Sequence, residues 1–136
     1  MLFLAIVGSS SIFCQSKDET GIRNVLAQQT KAWNSGQIEA FMDGYQHTDS
    51  LMFIGKSGIT YGWQKTLNNY KKGYPDTAAM GKLDFSIIQV KKLSQNYYFV
   101  VGKWHLARTI GDLNGAFTLL FRKIKSKWLI IADHSS

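Results

Sequence analysis

From Gly81 onward the chain is a succession of four apolar runs of strand length, divided only by "SQN", "GDLNG" and "KSK". Long aromatic and β-branched runs joined by tight turns pair antiparallel, one beside the next, as a meander. The runs are read as strands at about 82–93, 96–109, 115–124 and 127–134. Such a sheet has an apolar face that must be covered, and the preceding part of the chain supplies helices to cover it.

Those helices announce themselves by period and by caps. "SKDE" at Ser16 has the form of a capping box, and Ile22, Val25, Leu26, Gln29 and Trp33 follow at helical spacing. "NSG" ends this helix, with Gly36 suited to a left-handed position. A second, short helix carries Ile38, Phe41, Met42 and Tyr45 on one face, and "HTDS" breaks it. "LMFIG" and "ITYG" read as a hairpin of short strands around "KSG". "WQKTLNNYKKGY" is helical again, with Trp63, Leu67, Tyr70 and Tyr74 on one side, and Pro75 closes it. The order is α-α-β-β-α-β-β-β-β, a single α+β domain over residues 16–136.

Composition narrows the function classes. The chain has 136 residues, 45% hydrophobic and 18% charged, enough for a real core. Aromatics reach 13%, and these residues fill cores and line ligand cavities alike. The net charge is +7, but the lysines fall in short pairs at helix ends and turns rather than along one element. That distribution argues against nucleic-acid binding. Residues 1–15, "MLFLAIVGSSSIFCQ", are uncharged and apolar through Val7, too short for a membrane span. They read as a secretory signal segment, although no Lys or Arg lies near Met1. Cleavage near Cys14 or Gln15 and export are expected, with lipidation of Cys14 as the alternative. No H-x-x-x-H, C-x-x-C, P-loop or G-x-S-x-G motif is present, so neither cofactor nor metal is expected. "GKSG" at Gly55–Gly58 joins two strands instead of opening a helix and reads as a turn.

This order, with "AWNSGQIEAFMDGY", "DSLMFIGKSGITYGW" and the terminal "KWLIIADHSS", resembles the nuclear transport factor 2-like superfamily. It is most similar to the SnoaL-like branch related to the calcium/calmodulin-dependent kinase association domain and ketosteroid isomerase. The resemblance implies a cone: a curved antiparallel sheet wrapped around three N-terminal helices, with a pocket at the open end. It fixes no chemistry, because enzymes, binding proteins and assembly domains share the fold. Kinase association domains carry two pocket arginines; the matching positions here are His105 and, near the second, apolar Leu119. The pocket is therefore expected to be apolar and aromatic, lined by Trp33, Phe41, Tyr45, Phe53, Trp63, Tyr70, His105, Phe117, Leu119 and His134.

For chemistry, His105, His134 and Tyr45 are the candidate acid–base residues. Alternation along the last strand aims His134 the same way as Trp128, Ile130 and Ala132, toward the helices. The same alternation turns Asp133 outward, and Asp43, Asp49, Asp84 and Asp112 are no better placed to act as a base. The expected function is binding of a small hydrophobic or aromatic molecule by an exported protein. The alternatives are a lyase or isomerase using the His/Tyr site, or an assembly module with a vestigial pocket. A homodimer is expected through the outer sheet face, taken to carry Trp104, Leu106, Thr118 and Leu120.

Overall fold

The structure, a computed structural model, describes residues 16–136. The leader and Cys14 lie outside the described residues. Helices α1 (Lys17–Asn34) and α2 (Ile38–Met42) come first, then the hairpin β1 (Met52–Gly55) and β2 (Gly58–Tyr61). Helix α3 (Trp63–Gly73) and a short α4 (Thr77–Met80) precede the long strands β3 (Lys82–Ser94), β4 (Tyr97–Ala107), β5 (Leu113–Ile124) and β6 (Lys127–Ser135). Helix α4 adds to the expected order. It follows Pro75 and is capped by Asp76, whose carboxylate accepts from the Ala79 N–H at 2.8 Å.

Local signals explain why the helices start and stop where they do. Ser16 caps α1, its hydroxyl accepting from the Glu19 N–H at 3.1 Å. The stripe Ile22, Leu26, Gln29 and Trp33 is buried against the sheet. Gly36, at φ 74°, makes the turn that ends the helix.

All six strands form one curved sheet in the order β2-β1-β6-β5-β4-β3. β3 to β6 are the expected antiparallel meander. The hairpin then joins the far edge of β6 with β1 parallel to it, pairing Met52 with Ala132, Phe53 with Asp133 and Ile54 with His134. The chain reaches that edge because the segment after α2 docks on β6 first. The Gln46 N–H donates to the Ile130 carbonyl, and the Ile130 N–H donates to the Gly44 carbonyl, each at 2.9 Å.

The sheet's inner face packs on the helices to form the core, with Phe121, Ile130 and Val100 fully buried beside Ile22, Leu26 and Met42. Here the outer-face expectation needs correcting. Leu106 is buried and Trp104 packs against the core, whereas Thr118 and Leu120 face outward as expected. Pairing decides the matter: Gly102 lies opposite Phe117 and Val100 opposite Leu119, which fixes the even-numbered side of β4 as the concave one. Phe99, Val101, Lys103 and His105 therefore occupy the outer side. A Cβ on Gly102 would lie 2.5 Å from the Phe117 ring, so glycine there makes room for an inward aromatic.

Candidate functional site

The concave side of the sheet and the helices do not close completely. Between them lies a cavity of about 620 Å³, within the ~300–1,000 Å³ range of small-molecule sites. Its wall is aromatic. Trp33 meets Phe41, Tyr70 and Tyr74 edge-on, with centroids 5.1, 5.8 and 5.0 Å apart. Phe85 meets Phe117 at 5.4 Å on the sheet side. These contacts hold the rings in fixed orientations, as does the bond from Trp33 Nε1 to the Met80 carbonyl at 3.0 Å.

Among the described residues that line this cavity, one is acidic, and it is Asp133. Leu120 pairs with Ala132 and Phe121 with Ile130, which leaves Ile131 as an extra residue in β6. That β-bulge resets the alternation. Trp128 and Ile130 are buried before it; after it Asp133 is buried and Ser135 lines the cavity, while His134 is exposed. The expectation that His134 faces the helices and Asp133 faces outward is thus reversed. A single inserted residue reverses it.

Asp133 is 4% exposed and fully engaged. Tyr45 donates its hydroxyl to Oδ2 at 2.7 Å, and Ser135 donates to Oδ1 at 2.7 Å. Burial pushes the carboxyl up to about 6, although the hydrogen bonds from Ser135 and Tyr45 pull the other way. Burial also raises the Tyr45 phenol well above its ordinary range, and the neighbouring Asp133 adds to the effect. The Tyr70 phenol is likewise raised by burial, and it interacts with the hydroxyl of Tyr45. The inner wall therefore carries a carboxyl that changes charge near neutrality beside two phenols that stay protonated. Such a group accepts a hydrogen bond when ionised and donates one when neutral.

The other predicted residues divide cleanly. Trp33, Phe41, Tyr45, Phe53, Tyr70, Phe117 and Leu119 line this cavity. Trp63, His105 and His134 do not. Trp63 opens α3 with its Nε1 donating to the Met42 carbonyl at 2.9 Å, and its ring stacks on His47 at 3.9 Å. His105 stands on the outer face and pairs with Asp112 at 2.9 Å. The two histidines are thus no acid–base pair at the cavity, and Tyr45 has Asp133 as its partner instead.

Sequence reasoning missed Asp133, Ser135, Gln29, Phe85 and Trp104 as lining residues. Gln29 was visible on the stripe of α1, where a buried amide among apolar residues was already a polar signal. Trp104 has a buried indole N–H without a hydrogen-bond partner. A side chain on the facing Gly115 would collide with that nitrogen and with the Ser136 carbonyl. Among the described residues no group of three or more His, Cys, Asp or Glu is placed to hold a metal ion. None of their helices is long and apolar enough to cross a membrane.

A curved sheet around N-terminal helices with an open cavity defines a cone-shaped α+β protein of the cystatin-like type. Among solved structures, the chain is similar to an NTF-2 like protein of unknown function from Shewanella oneidensis MR-1. The two are 42% identical, with 88% of this chain and 98% of that one covered and a TM-score of 0.84. The chain belongs to the NTF2-like family. More distant structures share the fold alone. A domain with a cystatin-like fold from Nostoc punctiforme is 16% identical, with 90% of this chain and 78% of that one covered and a TM-score of 0.74. A ketosteroid isomerase-like protein from Erwinia carotovora atroseptica is 18% identical, with 90% and 97% covered and a TM-score of 0.69. No family model matches the chain, and no curated protein does.

Proposed function

We propose that the chain binds a small, largely aromatic or apolar molecule in this cavity, with Asp133 and Tyr45 holding its one buried polar group. The observation that carries this reading is a buried carboxyl, hydrogen-bonded to two hydroxyls, set into a largely aromatic and apolar wall. Burying a charge is costly unless it serves a partner, and a core needs none at this position. Calorimetry with naphthol as the probe tests the reading. Saturable binding that weakens at least tenfold in Asp133→Ala supports it; equal affinities in the two proteins refute the anchor.

A second reading, a lyase or isomerase, is favoured by one feature of the same site. A carboxyl titrating at about 6 beside a protonated phenol suits general acid–base chemistry on a hydroxy or carbonyl compound. Asp133 then replaces the histidines as the base, and Tyr45 orients its carboxylate through the hydrogen bond it donates. Turnover lost in Asp133→Asn with ligand binding retained would single out this reading.

Two further expectations belong to the same proposal. The apolar leader supports export; a retained Met1 in protein from its native host excludes cleavage, and a lipid mass on Cys14 means anchoring. The outer sheet face, with Phe99, Val101, Thr118 and Leu120 at its centre, supports a homodimer. Sedimentation at micromolar concentration distinguishes dimer from monomer.

A further inference from the structure

The rim of the cavity has a chemistry of its own. The "GKSG" turn places Gly55, Lys56, Ser57 and Gly58 at the mouth, although it has nothing of a phosphate loop. Across from it, the last turn of α3 contributes Lys72 and Gly73. A hydrogen bond ties the two together, Asn69 Nδ2 donating to Thr60 Oγ1 at 3.2 Å. Its neighbour Lys71 is engaged elsewhere, with Glu39. Neither Lys56 nor Lys72 takes part in an ion pair among the described residues. Among the described lining residues Asp133 is the one acidic side chain, so none of the described rim residues carries a carboxylate.

We infer that the ligand is an amphipathic organic anion, its carboxylate or other acidic group held at the mouth by Lys56 and Lys72. This inference rests on the cavity reading above and specifies the ligand's class and its orientation. The two ends of the site are unlike. An anionic group driven to the inner wall would meet Asp133 in a poorly solvated place, where like charges repel strongly. At the rim the same group meets two ammonium groups and the hydroxyl of Ser57, and it remains hydrated. The apolar body then lies along Phe53, Tyr70 and Trp33, and a neutral hydroxyl or carbonyl enters first to reach Asp133 and Tyr45. The net charge of +7 would draw any anion toward the surface, but only the rim lysines discriminate a bound one.

The test compares hydroxynaphthoate, with its hydroxyl and carboxylate at opposite ends, with the neutral hydroxynaphthamide of the same shape. Calorimetry at neutral pH and low salt should find the carboxylate bound about five- to tenfold more tightly. That ratio should fall toward one in high salt and in the Lys56→Gln/Lys72→Gln variant. The Lys91→Gln/Lys127→Gln variant removes the same charge from exposed strand positions and should keep the ratio. Equal binding of the two probes to the native protein overturns the anion inference and leaves the cavity reading standing. A ratio that survives in the Lys56→Gln/Lys72→Gln variant overturns it as well. Failure of both probes to bind removes the cavity reading and this inference with it.

Discussion

β4 and β6 are neighbours of β5 on either side, and they obey alternation differently. Opposite β5, β4 runs from Tyr97 to Leu106 without interruption, so Val100, Gly102, Trp104 and Leu106 share the concave face. β6 begins the same way, but the bulge at Ile131 shifts the phase of its second half. Its first half builds core with Trp128 and Ile130; its second half brings Asp133 and Ser135 to the cavity. Alternation is a local rule that holds only while pairing is unbroken. Here the break falls where the strand passes from packing to chemistry, which also explains the polar tail of an otherwise apolar strand.

That contrast should appear first in stability. Phe121 is fully buried opposite the core half of β6, and Phe121→Ala should cost about 3–5 kcal/mol in urea unfolding. Phe117→Ala, opposite Ser135 in the cavity half, should cost clearly less, because one side of its ring already faces open space. Similar costs would mean that the cavity is closed core and the comparison has failed.

Asp133 should show the opposite sign. Its carboxyl rises from 3.8 in the unfolded reference to about 6 when folded, so the native chain binds more protons between those values. Stability should therefore fall as pH rises through this window, and the cost of the buried charge is fully present above it. Asp133→Asn should gain up to about 3 kcal/mol near pH ~8 and almost nothing below about pH 3.5, read from urea midpoints. A substitution neutral at both pH values would put Asp133 back in solvent.

Smaller effects are expected outside the cavity. Trp63→Phe keeps a ring against His47 but removes the bond to the Met42 carbonyl, and should cost about 1 kcal/mol. His105→Gln at a half-buried outer position and His134→Gln at an exposed one should alter neither thermal midpoint nor probe binding measurably. A loss of binding in either histidine variant would restore the site first read from the sequence.

Most of the architecture was legible because it depends on period and punctuation. The helical stripe that ends at Trp33, the turn at Gly36 and the stop at Pro75 are local signals, and so are the turns of the meander. The aromatic and apolar lining was legible in the same way through Phe41, Tyr45, Phe117 and Leu119. Two things were not. The faces of β4 are both apolar, with Phe99 and Val101 on one and Trp104 and Leu106 on the other. Only pairing with β5, signalled by the small residues Gly102 and Gly115 opposite aromatic rings, separates them. The bulge at Ile131 has no local mark, since isoleucine suits an ordinary strand position. It arises where β6 exchanges partners, from the Gly44–Gln46 segment to β1. His134 looked inward for that reason alone.

The central claim is that the bulge delivers Asp133 to the cavity wall, and the proton affinity of its carboxyl tests this most directly. Carbon NMR of the side-chain carboxyl, followed across the acid range in the native chain, should give a midpoint of about 6. A midpoint near the ordinary 3.8 would contradict the account, because burial would then leave no mark on the Asp133 carboxyl.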